Sequence, residues 1–207
     1  MKIILASTSP RRQQLLALAD IDFVTQSVEV DESVLPNETP QDYIVRMVQA
    51  KATAAGQNLT GCYEAGEDHY LVITSDTIGV LADGLSILVK PTDKADAFAM
   101  WQKMSNTQHA VWTAVQLTVF DNQANRLYSK NILEKTEVTF IELDEPAMEA
   151  YWASGEPADK AGGYAIQGKG AALVERINGS YTNVVGLPLS QTLAAIKNIE
   201  KRLAGRE

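Results

Sequence analysis

Cysteine and histidine are almost absent from this 207-residue sequence, which has one cysteine, Cys62, and two histidines, His69 and His109. A single cysteine excludes an internal disulfide and fits a reducing compartment. Three such side chains also argue against a zinc site of the Cys/His type. Two histidines give little basis for a Ser-His-Asp triad. Any chemistry must therefore rely on carboxylates, amines and guanidinium groups.

Long apolar runs and an excess of positive charge are also missing. No apolar stretch approaches the roughly 20 residues that cross a bilayer, and the short apolar start is soon followed by Arg11 and Arg12, so we expect a cytoplasmic protein without a membrane segment. The net charge of -8 argues against sequence-independent binding of DNA or RNA, which needs a basic surface. It leaves room for an anionic small molecule held by local positive charge.

The hydrophobic patterns alternate between strand and helix early in the chain, and strands follow one another later. This order predicts a mixed α/β sheet flanked by helices. We expect strands over residues 3–5, 23–30, 70–81 (interrupted at 75–77), 109–120, 126–141 and 173–177. We expect helices from about residue 9, over 40–55, from Thr92 to about 104, from Asp144, and over 188–204. Residues 56–69 and 155–171 are expected to be loops. No repeat or linker divides the sequence, so we expect a single domain over 1–207.

The segment 7–12, Ser-Thr-Ser-Pro-Arg-Arg, is the first candidate site. Ser9 is the expected N-cap of a helix, and Pro10 suits its first position. Free backbone N–H groups at such a turn favour an anion. Arg11 and Arg12 are unfavourable against the helix dipole unless an anionic ligand is present. An ordinary helix start with solvated arginines is the alternative, and the lysine-serine pair of a P-loop is missing.

Two charged residues fall on stretches that are otherwise expected to be buried. Lys51 follows Ile44, Met47 and Val48 at helical spacing, which places it on the apolar face of a helix. It either extends its amine to solvent or reaches into a phosphate cleft. Asp76 interrupts an apolar strand, where a carboxylate is costly unless it is paired, hydrogen-bonded or metal-bound. The alternative is an Asp in a polar turn between two strands.

Three further features have both a functional and an ordinary interpretation. Asp31 and Glu32 would join Asp76 as oxygen ligands of magnesium or manganese, although such a pair alone is typical of a solvated loop. Lys90 is either a ligand-binding residue or an exposed lysine before a helix. The glycine-rich segment 160–170 permits close backbone approach to a ligand, and a flexible surface loop is the alternative.

Together, seven segments of the sequence resemble the Maf-like nucleoside triphosphate pyrophosphatase family, whose members were once described as septum formation inhibitors. These segments are residues 5–12, 30–32, 50–52, 75–77, 90–91, 160–170 and 183–189. They occur in the family's order and cover nearly the whole chain. The resemblance implies an elongated, two-lobed α/β fold like that of inosine triphosphate pyrophosphatases, with a central cleft.

The same resemblance implies an activity and a set of site residues. It implies cleavage of a nucleoside triphosphate between the α- and β-phosphates, with Mg²⁺ or Mn²⁺, to the monophosphate and pyrophosphate. The sequence looks like the branch that acts on dTTP and UTP. Asp76 matches the catalytic base, and Glu32 and Asp76 match the metal site. The residues that match substrate binding or substrate choice are Ser7, Arg11, Arg12, Lys51, Thr77, Lys90 and Gln167.

The competing hypothesis is a non-catalytic regulator of cell division or a nucleic-acid-associated factor, as the older family name suggests. The intact set of acidic and basic residues argues against a purely structural role, and the net charge of -8 argues against nucleic acid. The expected partner is a pyrimidine nucleoside triphosphate, with no stable nucleic-acid or membrane partner. A homodimer is implied by the resemblance alone.

Overall fold

The structure is a computed structural model that describes residues 1–59 and 68–205. Within these residues the strands are β1 (Lys2–Leu5), β2 (Val24–Thr25), β3 (His69–Val80), β4 (Ile87–Leu88), β5 (Gln108–Asp121), β6 (Arg126–Phe140) and β7 (Val174–Asn178). The α-helices are α1 (Pro10–Ala17), α2 (Pro40–Gln57), α3 (Lys94–Met104), α4 (Glu145–Ala153), α5 (Tyr181–Val185) and α6 (Leu189–Leu203). Short 3₁₀ helices cover Glu156–Asp159, Ala161–Gly163 and Lys169–Leu173. None of the described helices is both long enough and apolar enough to cross a membrane.

The strands form one mixed sheet in the order β2-β1-β3-β5-β6-β7, and β4 pairs with β3. Strand β1 runs parallel to both neighbours, with Ile4 opposite Val24 on one side and opposite Val72 on the other. Parallel neighbours need crossover connections, which the chain supplies through α1 and α2. Strands β4 and β7 run antiparallel to β3 and β6. The predicted mixed α/β sheet with helices is confirmed.

The chain divides into two compact units, each made of separate stretches of sequence. Unit 1 comprises Met1–Asp76, Ala114–Leu133 and Gly186–Glu207, and unit 2 comprises Thr77–Thr113 and Glu134–Val185. Strands β3, β5 and β6 each contribute residues to both units.

The core of unit 1 packs α2 against the sheet. Its buried residues are Ile4, Ala6, Ala55, Leu59, Tyr70, Val72 and Phe120. Gly56 brings the α2 backbone directly onto the Phe120 ring, because a Cβ at this position would lie 2.7 Å from Phe120 Cζ. A larger residue at position 56 would force the Phe120 ring or the helix to shift.

The core of unit 2 is centred on the fully buried Trp101 of α3. The Trp101 indole N–H donates to the Gly162 carbonyl at 3.2 Å, and its ring lies 5.3 Å from the Tyr151 ring, centroid to centroid. His109 is also buried, with Nε2 2.8 Å from the hydroxyl of Tyr164. Burial lowers the pKa of His109 to about 4, so the ring is neutral at pH 7.

The cap expected for α3 at Thr92 is wrong, and the cap expected for α1 at Ser9 is in place without a side-chain bond. Asp93, not Thr92, caps α3 by accepting from the Asp96 N–H at 2.9 Å. The N–H of Thr92 instead donates to the Asp96 carboxylate at 3.0 Å, which closes the first turn from the other side. Ser9 does precede α1, but its side chain makes no capping bond. Its own N–H donates to the Ser7 hydroxyl at 3.2 Å.

Several element boundaries also differ. The strand expected over 23–30 is reduced to Val24–Thr25, because its partner β1 ends at Leu5, opposite Thr25. Strand β3 continues without interruption through residues 75–77, so the expected break there and the polar-turn alternative for Asp76 are wrong. Helix α5 was not predicted. The expected loop at 155–171 contains 3₁₀ turns.

The two ends of the loop expected over 56–69 are helix and strand in the structure. Helix α2 continues to Gln57, and β3 begins at His69. Residues 60–67, which include Cys62, lie outside the described residues.

Candidate active site

Three charged side chains from three parts of unit 1 meet at one point. The Lys51 Nζ atom of α2 lies 2.6 Å from Asp76 Oδ1 of β3 and 2.8 Å from Glu32 Oε1. Lys51 and Asp76 are each only 8% exposed. An ammonium and a carboxylate so far removed from water are stable only as a pair. The amine of Lys51 is thus directed to two carboxylates and not to bulk solvent.

The N-terminal half of α2 holds the backbone around Glu32. Tyr43 lies two helical turns before Lys51 on the same face, and its hydroxyl donates to the Glu32 carbonyl at 3.0 Å. Arg46 donates to the Ser33 carbonyl at 2.9 Å. Burial, together with the charges of Asp76 and Glu32, raises the pKa of Tyr43 to about 12, so the hydroxyl retains its proton and remains a donor. The sequence reasoning missed Tyr43, although its helical spacing from Lys51 was a usable signal.

The carbonyl of Gly186, a residue of unit 1, fixes Arg12 beside this cluster. Arg12 Nε donates to the Gly186 carbonyl at 2.8 Å, and the Ser75 hydroxyl donates to the same oxygen at 3.1 Å. Arg12 Nη1 lies 3.4 Å from the hydroxyl of Ser7. Gly186 has φ of 126°, a conformation that favours glycine. Arg12 is therefore not the freely solvated arginine of the ordinary interpretation.

Positive potential accumulates at the start of α1. Burial lowers the pKa of Arg12, and the charge of the half-buried Arg11 lowers it further, whereas Asp76 and Glu32 oppose both effects. The first turn of α1 has no acidic residue and no side-chain cap. The N-terminal end of the helix dipole and two adjacent guanidinium groups together favour an anion at this position.

Glu32 and Asp76 provide two carboxylates for a divalent ion. Among the described residues no group of three His, Cys, Asp or Glu side chains is placed to hold a metal. Magnesium commonly uses one or two carboxylates and takes its remaining ligands from water and substrate phosphates. The Lys51 ammonium already bridges both carboxylates, which shows that they can share one cation. The donor set therefore fits a magnesium-type ion that arrives with a phosphate substrate.

Thr77, the first residue of unit 2, belongs to a directed chain of hydrogen bonds. Its hydroxyl lies 3.0 Å from that of Thr113, and Thr113 donates to the Asn183 carbonyl at 3.0 Å. A hydroxyl has a single proton. Because Thr113 gives its proton to Asn183, Thr77 must be the donor between the two threonines. The Thr77 hydroxyl thus has no second proton to donate.

Lys90 and Gln167, the other two candidates in unit 2, are exposed. Lys90 follows β4, and Gln167 lies in the turn between two 3₁₀ helices. Neither makes a hydrogen bond or an ion pair with the described residues of its own unit. Both side chains are consequently available to a ligand, although no contact brings them together.

The backbone next to Gln167 is held by a carboxylate that the sequence reasoning missed. Glu156 accepts hydrogen bonds from the N–H groups of Lys169 and Gly170, at 2.8 and 2.9 Å, and from the Tyr151 hydroxyl at 2.7 Å. Burial acts to raise the pKa of Glu156, but the three hydrogen bonds outweigh it and hold the pKa below its ordinary value. No pattern in the sequence connects Glu156 with Lys169 and Gly170, which lie 13 and 14 positions away.

Comparison with known proteins gives a family match over nearly the whole chain. A family model described as Maf-like protein matches residues 2–199, and the chain belongs to this family. The proposed resemblance is thereby confirmed.

Individual relatives carry a more specific name. A dTTP/UTP pyrophosphatase of Psychrobacter cryohalolentis is 51% identical over 220 residues, covering 96% of this chain and 97% of the relative. A dTTP/UTP pyrophosphatase of Psychrobacter arcticus is 52% identical over 220 residues, covering 96% and 95%. The crystal structure of a dITP/XTP pyrophosphatase from Mycobacterium abscessus is similar at 14% identity, with 98% of each chain covered and a TM-score of 0.43.

Proposed function

We propose that this protein hydrolyses dTTP and UTP to the nucleoside monophosphate and pyrophosphate. Family membership and the names of relatives about half identical over nearly the whole chain support the reaction and the substrates. The observation that carries the proposal is the contact of the buried Lys51 with the buried Asp76 and with the exposed Glu32, beside the fixed Arg12. It joins a base, a cation and a second carboxylate, as phosphate hydrolysis requires.

Asp76 is the proposed general base. It orients a water molecule and accepts its proton as the water oxygen forms a bond to the α-phosphorus. The bond between that phosphorus and the oxygen bridging to the β-phosphate breaks, and pyrophosphate leaves with the bonding electrons. For Asp76 to act, the Lys51 ammonium must shift from Oδ1 toward a phosphate oxygen, which its long flexible side chain permits.

The cations are proposed to bind the triphosphate and to stabilise the departing pyrophosphate. Arg12 is positioned for this role by the Gly186 carbonyl, which accepts a hydrogen bond from its Nε, and a guanidinium group matches the geometry of phosphate oxygens. Ser7 orients the same guanidinium group. Lys51 supplies a point charge, and we assign Arg11 and Lys90 to the same substrate from the family resemblance.

Glu32 and Asp76 are the residues that would hold Mg²⁺ or Mn²⁺. When bound, such an ion supplies Lewis-acid stabilisation of negative charge on the phosphate oxygens. Tyr43 and Arg46 support Glu32 by holding the neighbouring backbone carbonyls.

Arg11, Thr77 and Gln167 are proposed to select the substrate. dTTP and UTP differ by one methyl on the base and one hydroxyl on the sugar. A methyl in an apolar pocket discriminates by only about 1–3 kcal/mol, so both nucleotides are accepted. Cytosine presents an amino group where uracil presents the O4 acceptor, and a fixed hydrogen-bonding residue such as Gln167 can reject it more strongly.

We further propose that residues 1–207 act as one functional domain, since the family match spans both units. Cytoplasmic location and a homodimer are proposed on the family resemblance, and no stable nucleic-acid partner is proposed for a chain of net charge -8.

The deciding experiment measures release of pyrophosphate from dTTP, UTP and CTP with Mg²⁺, with Mn²⁺ and with chelator. We expect similar kcat/KM for dTTP and UTP, a lower value for CTP, and no release with chelator. A chain that releases no pyrophosphate from dTTP or UTP with either metal would contradict the proposed reaction. A preference for CTP would contradict only the proposed selectivity.

A further inference from the structure

One carboxylate and one phenol hold both ends of the segment 165–170. Glu156 Oε2 accepts from the Lys169 N–H, and Oε1 accepts from the Gly170 N–H. The Tyr151 hydroxyl donates its proton to Glu156 Oε1 and accepts from the Ala165 N–H at 3.2 Å. The start of the segment is thus bonded to Tyr151 and its end to Glu156, and these two side chains are bonded to each other.

The segment lies directly against these two side chains. A Cβ at Gly168 would come within 2.0 Å of Glu156 Oε2, and a Cβ at Gly170 would come within 2.5 Å of the Tyr151 hydroxyl. Only glycine allows the backbone to approach so closely. Gly168 and Gly170 therefore allow the backbone to pack against Glu156 and Tyr151. The segment is not the flexible loop that is the usual interpretation of a glycine-rich sequence.

Gln167 lies between the two bonded ends and is exposed. A side-chain amide discriminates between bases only when its donor and acceptor are held in a known direction. On a mobile loop, the entropic cost of ordering the backbone would oppose binding. The bonds to Glu156 and Tyr151 remove that cost in advance.

We propose that Glu156, supported by Tyr151, is a positioning residue that fixes the direction of Gln167 and thereby sets discrimination between uracil or thymine and cytosine bases. This inference rests on the proposed function, because it concerns how that substrate is selected. Glu156 acts through the 165–170 backbone and does not take part in the chemical step.

The substitution Glu156→Gln tests this with almost no change in shape. A carboxylate only accepts hydrogen bonds, whereas a glutamine must turn an NH₂ donor toward one of the three donors that Glu156 binds. Glu145→Gln is the matched control, an exposed glutamate of the neighbouring helix α4. For each protein, kcat and KM are measured on UTP and CTP, and amide hydrogen exchange is measured over residues 165–170.

We expect Glu156→Gln to lower the UTP-to-CTP ratio of kcat/KM by about 10-fold, the equivalent of one hydrogen bond. The loss should arise mainly from a higher KM for UTP, and exchange at Lys169 and Gly170 should accelerate. Glu145→Gln should leave the ratio and the exchange unchanged. Tyr151→Phe removes the phenolic bonds while keeping the ring, so it carries the test if Glu156→Gln does not fold.

Accelerated exchange with an unaltered UTP-to-CTP ratio would overturn the proposal, and so would unaltered exchange in a variant that folds. Activity of the wild-type protein separates this outcome from failure of the proposed function. If the wild type hydrolyses UTP and the variant keeps its selectivity, only the role of Glu156 is lost. If the wild type hydrolyses neither dTTP nor UTP, the proposed function falls, and the selectivity role falls with it.

Discussion

Two buried or partly buried carboxylates, Asp76 in unit 1 and Glu156 in unit 2, are held in opposite ways. Asp76 is paired with the ammonium of Lys51, a side chain with four flexible bonds. Glu156 is bonded to two backbone N–H groups and a phenol. An ammonium can leave one anion for another, whereas backbone donors cannot leave without moving the chain. The first arrangement suits chemistry, and the second suits placement.

Of the substitutions that test this comparison, Asp76→Asn is expected to have the largest effect, which is on kcat. The amide keeps the size of the side chain but cannot accept the proton of water, so kcat should fall by about 10²–10⁴-fold. The fold should be retained, as judged by circular dichroism. Asp22→Asn, an exposed position of the same unit, is the control and should leave kcat unchanged. Activity of Asp76→Asn near that of the wild type would show that Asp76 is not the base.

Lys51→Met tests how strongly burial of the Lys51–Asp76 pair in unit 1 affects stability. Removal of the ammonium leaves Asp76 without its cation, and the free energy of unfolding should fall by about 3 kcal/mol in urea denaturation. Lys94 pairs with Glu149 with both side chains nearly half exposed, so Lys94→Met should cost no more than about 1 kcal/mol. Equal losses of unfolding free energy in Lys51→Met and Lys94→Met would contradict the distinction between a buried and an exposed ion pair.

The stability of unit 2 should respond to acid through His109, which is buried beside the Tyr164 hydroxyl. Its pKa is lowered from 6.5 to about 4 on folding, so the unfolded chain binds the proton first. Stability due to this group is therefore complete above pH 6.5 and is lost as the pH falls toward 4. Between pH 7 and pH 5 the free energy of unfolding should fall by about 2 kcal/mol.

His109→Gln keeps a hydrogen-bonding partner for Tyr164 but does not titrate. Its free energy of unfolding should accordingly change less than that of the wild type over the same pH interval. Parallel pH profiles for the two proteins would show that His109 is not the group responsible.

The elements with strong local signals were predictable from the sequence. Proline in the first turn and an acceptor before the helix define the starts of α2 and α4, and runs of β-forming residues define β5 and β6. The sequence placed Lys51 and Asp76 in buried positions, since each interrupts an apolar pattern. It did not predict that β2 would stop at Thr25, because that limit is set by the length of its neighbour.

The contacts made by Gly186 and Glu156 could not be predicted from the sequence for a related reason. Each joins residues through backbone carbonyl or N–H groups, which every residue possesses and which leave no pattern in the sequence. The two glycines in contact with Glu156 and Tyr151 were visible, but glycine alone does not distinguish close packing from flexibility.

The contacts of the Gly186 carbonyl have a consequence for when the site forms during synthesis and folding of the chain. Arg12 and Ser75, which donate to it, precede it by 174 and 111 residues. Contacts between such distant positions form late in folding, because the closure of a long loop must come first. On the ribosome Arg12 and Ser75 therefore emerge long before their acceptor. A nascent chain cannot yet hold this arginine in place for its proposed role in binding phosphate, so unfinished copies should be inert toward nucleotides.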